Sequence, residues 1–245
     1  MRNDPLDRAI LAWLAGLGAS GADELAAAFG ISGALARARL RALVDDGACR
    51  AERLLHGAPP LYLLTRSGLR AAGRAELAVA RVSAASAAHQ LAVARVAAAL
   101  RGGCEELHGE RELRAWERAA GRPLASAEVG WARDGGVALH RPDLVVRAGD
   151  AWIAVEVELT VKAPRRLARI VRGWARSRLV DGVVYYAAPA ALRAVRIAIG
   201  RESAQDAVVA LALERAGELP PFARRVPSQA RPSVSGPSLM TTRRD

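Results

Sequence analysis

The chain has 245 residues, of which 51% are hydrophobic, and its 36 Lys and Arg against 25 Asp and Glu give a net charge of +11. This length is enough to bury a core and suggests one or two domains. So large a positive surplus favours a polyanionic partner, most often nucleic acid, although a charge that serves only solubility would look the same.

The composition also restricts the setting of the protein. Two cysteines, Cys49 and Cys104, provide neither a disulfide framework nor a zinc site. The first ten residues, MRNDPLDRAI, lack the apolar segment of a signal peptide. No stretch approaches 18 uncharged apolar residues, so we expect no membrane span and a cytoplasmic location.

The first elements predict three helices. Pro5 to Leu17 has an apolar face at helical spacing. The stretch GADELAAAFGISGALARARLRALVDDG then indicates a helix, a break at Gly30 and a second helix capped by Ser32. In this last helix Arg37 and Arg41 are four residues apart and share an outward face, with Arg39 nearby.

Two short strands are predicted next, at Cys49–Leu55 and Leu61–Leu64, before a helix restarts behind Thr65. Three helices followed by a hairpin resemble a winged helix-turn-helix domain, to which we assign residues 1–74. The resemblance implies that one helix enters the major groove and that the hairpin rests on the DNA backbone. The arginines that would then meet DNA are Arg37, Arg39 and Arg41 on the helix and Arg50 and Arg53 on the wing. Such domains also serve as protein-docking modules.

An alanine-rich helix from about Glu76 to Leu100 is predicted to link this domain to the next, within a segment of residues 75–103. Its apolar positions could pack on either neighbour or on a second subunit, which leaves a homodimer open. His89 is interpreted as a packed or capping histidine. The chain ends in a segment rich in Pro and Ser, residues 226–245, which we expect to be disordered.

Residues 104–225 alternate between strand-like and helix-like segments, which predicts an α/β domain with a mixed sheet. Within it, the run IAVEVELTVK from Ile153 to Lys162 is a strand fit for burial that carries two acids. Side chains alternate faces along a strand, so Glu156 and Glu158 are neighbours, roughly 7 Å apart. A bound divalent cation such as Mg²⁺ would offset their repulsion and the cost of their burial.

A third acid, Asp143, follows Pro142 and opens the preceding strand, from which it could come near Glu156. This arrangement resembles the PD-(D/E)xK nuclease-like superfamily, in which such acids bind metal and activate water for phosphodiester cleavage. The resemblance implies Asp143, Glu156 and Glu158 as metal ligands and catalytic residues. Glu158 stands where the superfamily has lysine, and Lys162 could reach back in its place. Weaker candidates are Glu110 and Glu112 as ligands and His140 as a base or phosphate contact.

The next predicted helix, APRRLARIVRGWARSR, is basic and carries no acid, which suits a surface that faces phosphates. Its candidate DNA contacts include Arg165, Arg166 and Arg169. The whole layout, from a winged helix through ERELR, HRPDLVV and AVEVELTVKAPRRL to GVVYYAAP, resembles the replication-relaxation family of bacterial plasmids and mobile elements, chiefly of actinobacteria. The resemblance implies DNA binding in replication or relaxation. It leaves two possibilities, a metal-dependent nuclease and a non-catalytic DNA-binding regulator or mobilisation accessory. A protein adaptor is a third.

Overall fold

The computed structural model describes residues 4–54, 56–132 and 135–222 and has an α/β fold. Leu55, the last residue of the first predicted strand, and the tail at 226–245, predicted to be disordered, lie outside the described residues. The N-terminal part consists of α1 (Pro5–Leu17), α2 (Ala22–Phe29), α3 (Gly33–Asp45), β1 (Cys49–Glu52), β2 (Leu61–Leu64) and α4 (Arg66–Ala71).

The helix boundaries follow the predicted capping residues. Gly30 ends α2 in the left-handed conformation, with φ of 60°, which glycine adopts without steric cost. Ser32 then accepts a hydrogen bond from the backbone N–H of Leu35 at 3.2 Å and caps α3. Thr65 caps α4 in the same way, through the N–H of Gly68 at 3.1 Å. The break between α2 and α3 is therefore encoded locally.

The hairpin forms as predicted but is shorter. β1 pairs antiparallel with β2, with Cys49 opposite Leu64 and Glu52 opposite Leu61, and it ends at Glu52 rather than at Leu55. Beneath it, the three helices bury one apolar cluster. The cluster includes Ile10, Leu14, Leu25, Ala36, Leu40, Leu43, Leu64 and Leu69.

The alanine-rich helix, α5, covers Ala84–Leu100, so the prediction that it starts near Glu76 is wrong. Ser83 caps it by accepting from the N–H of Ser86 at 3.3 Å. The residues before it run without regular structure because arginines from three other segments bind their carbonyls. Arg50 donates to Ala80 at 2.7 Å, Arg66 donates to Ala75 and Leu77, and Arg111 donates to Ala78.

The second half of the chain builds one five-stranded mixed sheet and a separate hairpin. The elements are β3 (Glu106–Gly109), α6 (Glu110–Ala120), β4 (Ala127–Trp131), β5 (Val137–His140), β6 (Leu144–Ala148), β7 (Ala151–Glu158), α7 (Pro164–Arg176), β8 (Gly182–Ala187), α8 (Pro189–Arg201) and β9 (Val208–Ala212). The sheet has the order β3-β6-β7-β8-β9, while β4 pairs with β5 alone. β6 is antiparallel to β3 and β7, and β7, β8 and β9 are parallel.

Helices cover both faces of the sheet. Ile153, Val155 and Val157 of β7 pack with α5 residues in one apolar cluster. Ala154 belongs to the cluster that α7 and α8 form on the opposite face. The predicted alternation along β7 is confirmed, and it places Glu156 and Glu158 on the face covered by α7.

The N-terminal part packs directly on the sheet part. Trp13 and Leu17 of α1 share the apolar cluster of α5 and β7. Arg111 of α6 donates a 2.7 Å hydrogen bond to the carbonyl of Ala15, and a Cβ atom at Gly109 would overlap the carbonyl oxygen of Gly16. The helix predicted as a linker is thus a structural layer shared by both parts. Within the described residues, every helix is too short or too polar to cross a bilayer.

Candidate active site and nucleic-acid interface

The three acids singled out in the sequence lie on adjacent strands. Asp143 stands immediately before β6, while Glu156 and Glu158 belong to β7. Leu144 pairs with Val155 in the antiparallel register of these strands. One step further along the same register, Asp143 comes opposite Glu156.

Asp143 and Glu156 line a cleft of about 340 Å³ together with Lys162. Residues of α5, of α6 and of the segment just before α7 contribute to its lining. The remaining residues that line it are His89, Glu110, Arg114, Leu139, His140 and Arg141. Two of the weaker candidates, Glu110 and His140, therefore reach this cleft. Glu112 does not line it and instead forms an ion pair with Arg74.

Glu156 is 4% exposed and is held by two side chains. Its Oε1 accepts a hydrogen bond from the indole Nε1 of Trp174 at 3.1 Å and lies 2.7 Å from Nε2 of His140. Burial raises the pKa of the Glu156 carboxyl, against the opposing influence of His140 and Lys162. Hydrogen bonds thus fix this carboxyl in a position where its charge is costly.

Asp143 is oriented by the neighbouring strand and by α5. Its Oδ2 accepts a hydrogen bond from the backbone N–H of Val157 at 2.8 Å and lies 3.4 Å from Nε2 of His89. The same histidine nitrogen is 3.1 Å from the carbonyl oxygen of Val157. The hydrogen bond to Asp143 raises the pKa of His89, although burial acts in the other direction.

Lys162 reaches back toward β7 and forms an ion pair with Glu158. Glu158 is 5% exposed and is not among the residues that line the cleft. Burial lowers the pKa of Lys162, while the negative charges of Glu156 and Asp143 act to raise it. The lysine ammonium therefore lies close to both carboxylates of the cleft.

The donor set fits a two-carboxylate cation site better than a closed metal cage. Among the described residues, no group of three or more His, Cys, Asp or Glu side chains has a spacing that could hold a metal ion. Mg²⁺ needs only one or two carboxylates, because waters and phosphate oxygens complete its octahedron. Asp143 and Glu156 supply two. Glu158, the third predicted ligand, is engaged by Lys162 instead.

Two residues that hold the cleft together were not predicted for this role. His89 was interpreted as a packed or capping histidine, yet it contacts Asp143. The sequence did contain a signal for this position. His89 lies three, four and seven residues before Ala92, Val93 and Val96, so it shares the buried face of α5 with them. Trp174 belongs to the corresponding face of α7, with Leu167, Ile170 and Val171. That face packs against the sheet on the side where β7 carries Glu156.

The basic face of α7 lies next to this cleft. Arg165, Arg166 and Arg169 are exposed, and the helix has no acidic residue between Pro164 and Arg176. Arg172 is also exposed, but its Nε lies 2.7 Å from Glu202. The side chains of Leu167, Ile170, Val171 and Trp174 bury the opposite face, so the arginines point to solvent as a group.

The predicted DNA contacts of the N-terminal part have mixed surroundings. Arg37 and Arg41 are exposed on α3, and Arg53 is exposed after β1. Arg37 nevertheless lies 3.4 Å from the exposed carboxylate of Asp23, and Arg39 forms ion pairs with Asp4 at 2.6 Å and Asp7 at 3.5 Å, which tie α3 to the start of α1. Arg50 lies 2.6 Å from Glu52. Of these five arginines, Arg37, Arg41 and Arg53 are therefore the most accessible.

The sequence identifies the family of this protein. No curated protein and no solved structure matches the chain. The model of the replication-relaxation family matches residues 11–179. This range includes α2 and α3, Asp143, the two acids of β7 and the basic helix α7, and it covers more than half of the sequence. The chain belongs to the replication-relaxation family.

Proposed function

We propose that this protein binds DNA and, during replication or relaxation of a plasmid or other mobile element, cuts its backbone at the cleft between β6 and β7. Family membership supports the role in replication or relaxation. The DNA binding and the cleavage are our inferences from charge and geometry. The observation that carries the catalytic part is the cleft that Asp143, Glu156 and Lys162 line together.

Two exposed basic surfaces support binding to DNA. The first is the outer face of α3, with Arg37 and Arg41, which follows a helix and a tight turn as in helix-turn-helix proteins. The second is the face of α7, with Arg165, Arg166 and Arg169. Arginine binds phosphate oxygens through a planar fork of N–H donors. Because α7 begins two residues after Lys162, a strand bound on this helix would lead its backbone into the cleft.

Asp143 and Glu156 are the residues that would hold a divalent cation. A cation bound there would act as a Lewis acid on the phosphate and would activate water for attack on phosphorus. Trp174 and the N–H of Val157 keep the two carboxylates in place. Lys162 would bind a phosphate oxygen, and Glu158 would position its ammonium. His140, at 2.7 Å from Glu156, would orient that carboxylate.

A non-catalytic DNA-binding regulator or mobilisation accessory is the second candidate. One observation favours it, since each of the three acids already has a protein partner: Asp143 has His89, Glu156 has His140, and Glu158 has Lys162. A carboxylate satisfied in this way can be a structural remnant. In that case the nuclease-like domain would only grip DNA.

Supercoiled plasmid distinguishes the two candidates. The protein is incubated with plasmid in Mg²⁺, in Mn²⁺ and in EDTA, and nicked and linear products are quantified on gels. We expect nicking that requires the cation and falls at least 100-fold in Asp143→Asn and in Glu156→Gln. Both variants keep an oxygen that can accept from Val157 or Trp174, so the fold should be preserved.

The control variant is Glu214→Gln, which removes one exposed carboxylate outside the cleft. It should nick as the unmodified protein does. Cation-independent nicking, or equal nicking in all the variants, would indicate a contaminating nuclease and contradict the catalytic proposal. Tight plasmid binding without any cleavage would support the non-catalytic candidate.

A further inference from the structure

The hairpin of β4 and β5 presents an apolar pair to solvent. Trp131 is 80% exposed and Val137 is 47% exposed, and the two are partners across the hairpin. In contrast, Trp13 is 7% exposed and Trp174 is 1% exposed, and Trp116 is partly buried against the core. An indole left in water forgoes a large hydrophobic stabilisation, so its position on this hairpin calls for a partner.

The hairpin is rigidly supported at its base. Gly173 of α7 lies so close that a Cβ atom there would be 2.5 Å from the carbonyl oxygen of Glu128. Val129 packs against the core under α7. The strand register then shifts between Glu128 and Trp131, where Gly130 has φ of 120°. Such an irregularity re-aims the end of a strand, and here it turns Trp131 away from the core.

The exposed indole stands at the end of the basic face. A cavity of about 440 Å³ is lined by Trp131 and Val137 on one side and by Arg176 and Arg178 on the other. Glu128 is the acid that also lines it. Arg169 approaches the hairpin from α7, since its Cδ lies 3.9 Å from a Cβ atom placed at Gly130. One exposed indole therefore lies among several arginines along this edge.

We propose that Trp131 stacks on an unpaired base of DNA whose phosphates lie on the arginines of α7. The proposal rests on the DNA binding proposed above and specifies which form of DNA the protein prefers. An exposed aromatic side chain beside arginines is how proteins hold single strands without regard to sequence, because every base offers a flat face. In an intact duplex those faces are covered by neighbouring base pairs. The preferred ligand is therefore DNA with a gap or a melted stretch.

The test compares a fluorescent duplex with the same duplex carrying a short single-stranded gap. We expect the protein to bind the gapped DNA more tightly than the duplex. Trp131→Ala should weaken binding to the gapped DNA about tenfold and leave duplex binding unchanged. Trp131→Phe should retain most of the affinity because phenylalanine still stacks. Ile197→Ala, which shortens another side chain that is 55% exposed, is the matched control and should change neither.

A second measurement reports the contact itself. Gapped DNA should quench part of the tryptophan fluorescence of the unmodified protein, and this part should be missing in Trp131→Phe. Equal affinities of Trp131→Ala and the unmodified protein for gapped DNA would overturn the inference. Equal losses on duplex and gapped DNA would also overturn it, since they would indicate a general contact.

The DNA-binding proposal fails separately. If the unmodified protein bound neither DNA at low salt, that proposal would be wrong and the stacking inference would fall with it. The exposed pair of Trp131 and Val137 would then be better explained as a protein-docking surface. Duplex binding without a preference for the gap would overturn the stacking inference alone.

Discussion

The N-terminal part and the sheet part use the same arginine-rich composition in different ways. In the N-terminal part, Arg39 and Arg50 bind acids of their own region, and Arg66 binds backbone carbonyls. On α7, Arg165, Arg166 and Arg169 face solvent on a helix without acids. Net charge alone does not separate arginines that hold the fold together from arginines available to phosphate. Their neighbours do.

The largest expected effect concerns α7. Replacing Arg165, Arg166 and Arg169 together by glutamine should weaken binding to duplex DNA on the order of 100-fold at moderate salt, because three phosphate contacts and their released counterions are lost. Fluorescence anisotropy with a labelled duplex measures the change. The matched control replaces Arg193, Arg196 and Arg201 of α8 by glutamine and so removes the same amount of charge from another helix. Equal losses in both triple variants would mean that overall charge, not the α7 face, drives binding.

The next prediction concerns the contact between the N-terminal part and the sheet part. Adding a single methyl group there should lower the stability of the protein. Gly109→Ala places a Cβ atom against the carbonyl of Gly16, and backbone on both sides leaves little room to adjust. We expect the free energy of unfolding to fall by about 1–3 kcal/mol, measured by urea denaturation. Gly200→Ala meets no atom within 4 Å and should be neutral or slightly stabilising. If Gly109→Ala left the free energy of unfolding unchanged, the two parts would not be tightly packed at this contact.

Two arginines of α3 allow the comparison to be made within one helix. Arg39→Gln should lower the free energy of unfolding by about 1 kcal/mol, because its pairs with Asp4 and Asp7 are partly buried. Arg41→Gln should leave stability unchanged and weaken DNA binding several-fold. Thermal unfolding measures the stability of both variants, and fluorescence anisotropy measures their affinity for DNA. Loss of stability in Arg41→Gln would contradict the assignment of that arginine to a free surface.

The smallest effect is a pH dependence at the cleft. The hydrogen bond to Asp143 raises the pKa of His89 above its usual 6.5, so the folded state binds this proton more tightly than the unfolded chain does. The resulting stabilisation is complete below pH 6.5 and is lost as the pH rises through the raised value. Because His89 is partly exposed, we expect about 1 kcal/mol or less.

The variant His89→Gln isolates this contribution. Its free energy of unfolding should lie further below that of the unmodified protein at pH 5.5 than at pH 9. His56→Gln, at an exposed position after the first hairpin strand, should show a difference that does not change with pH. A larger loss for His89→Gln at pH 9 would contradict the assigned direction of the pKa shift.

Much of the fold could be predicted from local patterns. The spacing of Ile10, Leu11 and Leu14 gave the bounds of α1, and the alternation around Glu156 gave the two faces of β7. These signals are short-range, because a helix cap or a strand face depends on residues only a few positions apart. The start of α5 was predicted too early because Arg50, Arg66 and Arg111, distant in sequence, bind the carbonyls of the preceding segment, which has no regular structure.

The candidate site was predictable in its acids but not in its partners. Asp143 and Glu156 could be named from strand pairing, since the register follows from the hydrophobic pattern. The contacts of His89 and Trp174 depend on which helix covers which face, and that is a property of the whole fold. The same holds for Trp131, whose exposure follows from the irregular register of its hairpin.

The salt dependence of DNA affinity tests the central claim most directly. A labelled duplex is titrated with the unmodified protein between 50 and 300 mM salt, and the logarithm of the association constant is plotted against the logarithm of salt concentration. If Arg165, Arg166 and Arg169 of α7 each bind a phosphate, the slope should be about −3 or steeper. A flat dependence, or no binding at the lowest salt, would contradict the account of this protein as one that grips the DNA backbone.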